Sequence, residues 1–182
     1  MSVRLWLVRH GATDWSAAGR LNGWGDVPLN DRGRAQARLL GRRLAQREFT
    51  GVWSSDLARA AETARLAVGA PVLEPRLREL DFGHLEGKRW EELPAAVQGA
   101  LLEFEGFEAP GGESTTALRQ RIVSFLRGLP GGEHVLFTHG GVIRVLLREA
   151  GRDARVAPGE LVRLRLNDRG DRRFVLIGEG LP

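Results

Sequence analysis

Twice in this chain an apolar run of strand length ends in a histidine and then a glycine. The first is Val3-Arg4-Leu5-Trp6-Leu7-Val8, followed by Arg9-His10-Gly11; the second is Val135-Leu136-Phe137-Thr138, followed by His139-Gly140-Gly141. Short β-rich apolar runs of this kind read as buried strands. Helical patterns lie between them, and strands alternating with helices imply a three-layer α/β/α sandwich: a mostly parallel sheet with helices on both faces. Parallel strands end on one edge, and ligands of such sheets bind just outside that edge. His10 and His139 are therefore expected to emerge on the same side.

The remaining elements fit that alternation. Residues 14–30 form a loop rich in Gly, Asn, Asp and Pro, long enough to suggest function. Asn30 is placed to cap a helix with Ala35, Leu39, Leu40 and Leu44 at helical spacing, which Gly33 and Gly41 each weaken by about 1 kcal/mol. Residues 51–55 read as a strand and 56–64 as a helix opening capped by Ser55 or Asp56, with Arg59 in its first turn. Residues 71–73 suggest a short strand. Residues 77–87 follow neither strand nor helix period and suggest an ordered loop. Residues 89–104 have helical steps interrupted by Pro94, which should kink or split them. Ser114 is placed to cap a helix carrying Leu118, Ile122, Phe125 and Leu126, and a further helix runs through 142–147. Two segments around Asn167-Asp168-Arg169-Gly170, at 161–166 and 173–177, read as a hairpin. No repeat, linker or low-complexity stretch interrupts the 182 residues, so one domain over 1–182 is expected.

Arg9 and His10 taken alone read equally well as polar residues at a strand end. Arg59 at a third strand-to-helix junction changes the balance, because two imidazoles and two guanidiniums around one crevice make an anion site. A zinc site built from the two histidines with Glu79 or Asp81 is the rival, but two arginines would repel the cation and no paired ligand spacing occurs. No metal and no cofactor are expected.

Composition narrows the remaining classes. With no cysteine there is no disulfide, thiolate ligand or thiol nucleophile. No run reaches membrane-spanning length and no leader pattern opens the chain, so a cytoplasmic protein without a membrane partner is expected. Lys and Arg number 27 against 23 Asp and Glu, but the arginines are dispersed among acids and no nucleic-acid motif occurs. A small anionic substrate fits better than nucleic acid; a homodimer is left open.

In order along the chain stand Arg9-His10-Gly11-x-Thr13, Gly19-Arg20…Gly23-Trp24-x-Asp26-x-Pro28-Leu29, and Ser54-Ser55-Asp56-Leu57-x-Arg59-Ala60. Then follow Leu77-x-Glu79…Phe82-Gly83…Glu86-Gly87, Gly111-Gly112-Glu113-Ser114 and Thr138-His139-Gly140-Gly141. These blocks resemble the histidine phosphatase, or phosphoglycerate mutase-like, superfamily. The resemblance implies that His10 is the nucleophile that becomes phosphohistidine. It further implies that Arg9, Arg59 and His139 hold the phosphoryl oxygens and that Glu79 is the general acid and then base, ahead of Asp81 and Glu86. Substrate-binding positions implied are Arg9, Ser16, Gly23, Arg59 and Gly140. His84 and His134 match no motif position. Two departures stand out: Ala12 replaces a frequent glutamate, and Ser16 replaces an asparagine that helps hold phosphate.

Mutases of the family carry a large insertion after the general acid, whereas here only residues 80–110 separate Glu79 from the Gly-Gly-Glu-Ser turn. A small cover over residues 89–110 admits water and favours hydrolysis of a small phosphorylated metabolite, as in the α-ribazole-5′-phosphate phosphatases and broad-specificity members. Phosphoglycerate mutase-type transfer and an inactive phospho-ligand-binding protein are the alternatives. Specificity is expected from that cover and from residues 22–26. Trp24, Trp90, Phe104 and Phe107 could stack on an aromatic leaving group or serve the core, with the core the better reading for Phe104.

Overall fold

The computed structural model describes residues 2–166 and the backbone of Phe174–Glu179. Six strands form one sheet in the order β3-β2-β4-β1-β5-β6. They are β1 (Val3–Arg9), β2 (Gly51–Ser54), β3 (Val72–Leu73), β4 (Gly132–Thr138), β5 (Leu161–Leu166) and β6 (Phe174–Glu179). The pairs β1–β4, β2–β4 and β2–β3 are parallel; β5 pairs antiparallel with both β1 and β6. The sheet is mostly parallel, as the alternation predicts. β5 and β6 pair as the hairpin reading expects, while the 167–170 turn lies outside the described residues.

Side chains of a strand alternate between faces, and the two cores follow that period. Leu5 and Leu7 of β1 and Leu136 of β4 join one apolar cluster with residues of α5 (Thr115–Arg127) and α6 (Gly140–Glu149). Trp6 and Val8, with Val135 and Phe137, join the other with Leu40 and Leu44 of α2 (Asp31–Leu44) and Ala64 of α3 (Ala58–Val68). Helices thus cover both faces.

Asn30 caps α2 by accepting from Gly33 N at 2.9 Å. The buried face of α2 is Gly33, Ala37, Leu40 and Leu44; Ala35 and Leu39 point outward, Leu39 being 53% exposed. Gly33 sets this rotation. It packs so tightly against Ala12 O that a Cβ there would collide, so its missing side chain lets α2 approach the turn after His10. The start of α3 is capped from outside the helix: Asp26 Oδ1 accepts from Ala58 N at 2.7 Å, and Ser55 Oγ accepts from Leu57 N at 3.3 Å. Arg59 remains in the first turn.

One short helix, α1 (Asp14–Ala17), interrupts the loop that the composition predicts, with Thr13 and Ser16 forming a reciprocal cap. Pro94 splits the cover segment, as expected, into a 3-10 turn at Trp90–Glu92 and α4 (Ala95–Glu103). Arg144 fastens α4 to α6 by donating to Leu101 O at 2.9 Å and Leu102 O at 2.5 Å while pairing with Asp153. No helix among the described residues is long and apolar enough to cross a membrane.

Candidate active site

The register of β1 on β4 pairs Arg9 with Thr138, and His10 N donates to Thr138 O at 2.9 Å, one step beyond the strand. The next residues, His10 and His139, consequently stand beside each other with ring centroids 5.2 Å apart. Ser55, at the end of β2, joins them through Oγ, 2.9 Å from His139 Nε2. Three parallel strand ends build the centre of the site.

Hydrogen bonds fix the tautomers. His10 Nδ1 lies 2.7 Å from Gly11 O; a carbonyl only accepts, so Nδ1 carries the hydrogen and Nε2 keeps its lone pair. Ser55 Oγ accepts from Leu57 N, and among the described residues His139 Nε2 is the one acceptor within reach of its own hydrogen; with that hydrogen assigned to Nε2, the ring hydrogen of His139 sits on Nδ1.

Arg59 is fully buried, and its guanidinium donates to Gly25 O at 2.9 Å, Gly23 O at 2.6 Å and Asn22 O at 3.3 Å. Arg9 donates to Val156 O at 2.7 Å. Burial pulls both below the usual arginine range, Arg59 to about 10, and Glu79 is the carboxylate that most opposes the fall in each. Both stay cationic at neutral pH. Burial first, then the charges of Arg59 and Arg9, holds the His10 imidazolium well below the ordinary histidine range; burial and Arg59 do the same to His139. The two rings are therefore neutral, and His10 Nε2 is available as an electron-pair donor.

Folding keeps protons off these two rings, so the unfolded chain binds more protons below its ordinary histidine pKa of about 6.5. Stability should be complete above about pH 6.5 and fall as pH drops below it, by up to about 1.4 kcal/mol per pH unit for each histidine. Urea unfolding at pH 7.5, 6.5 and 5.5 checks this; a midpoint unchanged between 6.5 and 5.5 would contradict it.

A cavity of about 300 Å³ opens on this centre, lined by Arg9, His10, Asn22, Glu79 and Gly140 on its polar side. Leu21, Phe82, Trp90, Leu101 and Phe104 line its apolar side, with Arg20 and Arg155 also on the wall. Trp90, Leu101 and Phe104 of the 89–110 segment stand on this wall. Arg59 and His139 do not reach the cavity surface; both are fully buried behind it. Among the described residues Glu79 is the only carboxylate lining the cavity, its oxygens accepting from Leu80 N at 2.9 Å and Gly141 N at 3.0 Å. Asp81 and Glu86 instead shape loops, accepting from Gly83 N and Gly25 N respectively.

Ser16 lines the cavity, but its hydroxyl hydrogen goes to Thr13 O at 2.9 Å inside the cap of α1. Gly23 contributes its carbonyl to Arg59 rather than a surface to the cavity. His134 is buried on the opposite end of β4, between Pro130 O and Trp53 Nε1. Phe104 and Phe107 are core, while Trp24 stays 40% exposed and donates its ring N–H to Glu79 O at 2.8 Å. No group of three His, Asp or Glu side chains among the described residues forms a metal-ligand set.

Asn22 falls in the 22–26 loop expected to set specificity, but no motif position singled out its side chain. Among the described residues six buried side-chain N or O atoms lack a hydrogen-bond partner, and five belong to this site: Arg9 Nε, Arg59 Nε, His139 Nδ1 and both amide atoms of Asn22. Buried polar atoms are otherwise almost always paired, so such a concentration marks a place built for a polar ligand. Four of the five are N–H groups, which suit an anion.

The sequence profile of the histidine phosphatase superfamily (branch 1) matches residues 5–173. The chain belongs to this family. A phosphoglycerate mutase structure from Thermus thermophilus superposes on this histidine phosphatase chain with TM-score 0.86 and 48% identity, covering 98% of this chain and 99% of that one. The "probable phosphoglycerate mutase GpmB" of Yersinia pestis (strain Pestoides F) is 36% identical over 157 residues, 80% of this chain and 73% of the relative. The structure of a "putative alpha-ribazole-5'-P phosphatase" from Escherichia coli str. K-12 substr. MG1655 is 28% identical with TM-score 0.83, covering 98% and 96%. The chain is thus an enzyme of the histidine phosphatase superfamily.

Proposed function

We propose that the protein hydrolyses phosphate monoesters through a phosphohistidine on His10. The observation that carries this reading is the set of unpaired buried N–H groups of Arg9, Arg59, His139 and Asn22 beside a neutral imidazole whose Nε2 lone pair is available. In the first step His10 Nε2 attacks phosphorus in line while the alcohol leaves with a proton from Glu79. In the second step water attacks the phosphohistidine and gives its proton to Glu79, releasing inorganic phosphate and restoring His10. Arg9 and Asn22 bind the phosphoryl oxygens from the cavity wall, Gly140 lets them approach α6, and Arg59 and His139 supply positive potential and an N–H from behind. Ser16 and Gly23 act through the loops they shape. The substrate is a small phosphorylated metabolite, and the protein works without a cofactor or metal, in the cytoplasm.

The apolar wall of Leu21, Phe82, Trp90, Leu101 and Phe104 suits an alcohol with an aromatic or alkyl body. α-Ribazole 5′-phosphate, or a range of esters of that kind, fits this description. The mutase reading draws support from the names of the relatives. The two differ in where the phosphoryl group goes, to water or back to a substrate hydroxyl. p-Nitrophenyl phosphate hydrolysis is expected to exceed turnover of 3-phosphoglycerate with a bisphosphoglycerate primer by about tenfold or more, a margin set by the loss of apolar contacts. Faster turnover in the coupled mutase assay would reject the hydrolase reading.

A further inference from the structure

The Gly111-Gly112-Glu113-Ser114 turn belongs to the ordered sequence blocks, yet the chemistry above uses none of it. Ser114 caps α5 by accepting from Ala117 N at 3.1 Å. Glu113 does something else. Its carboxylate takes the Arg121 guanidinium in a fork, Nε to Oε1 at 2.7 Å and Nη2 to Oε2 at 2.9 Å, with the two side chains only 14% and 17% exposed. Two further Arg121 N–H groups go to the main chain that carries Glu79. Nη1 donates to Arg76 O at 2.7 Å and Nη2 to Glu79 O at 2.8 Å. Trp24 Nε1 donates to that same Glu79 oxygen, also at 2.8 Å. Both lone pairs of the carbonyl are therefore occupied. The turn also grips the next residues: Glu113 N donates to Asp81 O at 2.9 Å, and Gly112 lies so close to Asp81 O that a Cβ would collide.

We propose that Glu113, Arg121 and Trp24 are positioning residues for Glu79. They hold the peptide from which its carboxylate reaches the scissile oxygen, although none of the three lines the cavity. The inference rests on the reading of Glu79 as the acid–base group. Glu113 orients the Arg121 fork, and Arg121 and Trp24 together prevent the Glu79 peptide from rotating. A bidentate pair shielded from water keeps its geometry better than an exposed one, and a displacement of about 1 Å at a reacting group can cost about 10²-fold in rate.

The test uses the full chain, Glu113→Gln and Trp24→Phe, with Glu79→Gln as reference. First-turnover alcohol release is measured from an alkyl phosphate, whose alkoxide needs a proton to depart, and from 2,4-dinitrophenyl phosphate, whose phenolate does not. Glu79→Gln is expected to slow the alkyl ester by about 10²-fold or more and the dinitrophenyl ester by less than about threefold. Glu113→Gln and Trp24→Phe should reproduce that selectivity at about 5- to 30-fold on the alkyl ester, with KM and inhibition by inorganic phosphate within about twofold. Added to Glu79→Gln, Glu113→Gln should cost nothing more, because the group it positions is already gone. Trp24 is partly exposed and Phe keeps its ring packing, so Trp24→Phe carries the test even if Glu113→Gln does not fold. Equal losses on both esters, no loss in either variant, or a further loss in the Glu79→Gln background overturns the positioning role. Equal slowing of the two esters by Glu79→Gln itself overturns the acid–base reading instead, and the proposal with it.

Discussion

Replacing His10 with alanine is expected to lower phosphate release by about 10⁴-fold or more while leaving the fold in place, because no other residue replaces the nucleophile. The side chain makes a single hydrogen bond, to the carbonyl of its own neighbour Gly11, so the loss to stability is about 1 kcal/mol. Far-UV circular dichroism and the thermal midpoint check the fold. Acid-labile, base-stable phosphate should be trapped on the parent protein during turnover and absent from the variant. The same experiment separates an enzyme from a protein that only binds phosphorylated ligands. A binding protein would show no trapped phosphate in the parent either, and its ligand affinity would survive in the variant. Residual hydrolysis above about a tenth of the parent rate would remove His10 from the mechanism.

Arg59→Met is expected to have the second largest effect, and on two observables at once. The guanidinium is fully buried and holds the carbonyls of Asn22, Gly23 and Gly25. Methionine fills most of the volume but leaves those acceptors without a donor, at a cost of about 3 kcal/mol in total. Catalysis should fall by about 10³-fold, the order associated with a lost arginine in phosphoryl transfer. His10 would also move back toward the ordinary histidine range, because the charge of Arg59 contributes to its depression. Arg59→Lys keeps the charge but has no planar fork to span three carbonyls. It should recover part of the rate and little of the stability, and urea unfolding alongside kcat reads both. A Met variant that loses stability but keeps its rate would confine Arg59 to holding the loop.

The parts of this site that sit on periodic elements were legible in the sequence. His10, His139 and Arg59 follow apolar runs whose ends the alternation of strands and helices places on one edge, and the structure brings them together as that pattern requires. The α2 face was harder. Leu39 shares the helical spacing of Leu40, but the burial of Gly33 rotates the helix so that Ala37 and Leu40 face inward. A close backbone approach leaves no hydrophobic mark in a sequence. Ser16 also reads differently once its partner is seen, because the capping box with Thr13 claims the hydrogen that a phosphate would need. The contacts to Glu79 O from Trp24 and Arg121 span 55 and 42 residues and end on a peptide oxygen, which every residue possesses. No residue type signals such an acceptor. Asn22 was legible only as one member of the 22–26 loop.

The pairing of β1 with β4 brings the two histidine backbones side by side. Adjacent strands lie about 4.8 Å apart, and the rings that follow Arg9 and Thr138 stand 5.2 Å apart. The ladder sets the spacing of the backbones that carry the two rings, and the 58° tilt between the rings comes from their own side-chain torsions. Exchanging Leu5, Leu136 or Phe137 for other apolar residues would change the fraction of molecules folded, while the backbone ladder that places the two histidines side by side would stay. The two cores can therefore drift through many generations of substitution without retuning the chemistry, as long as the ladder between these two strands is kept.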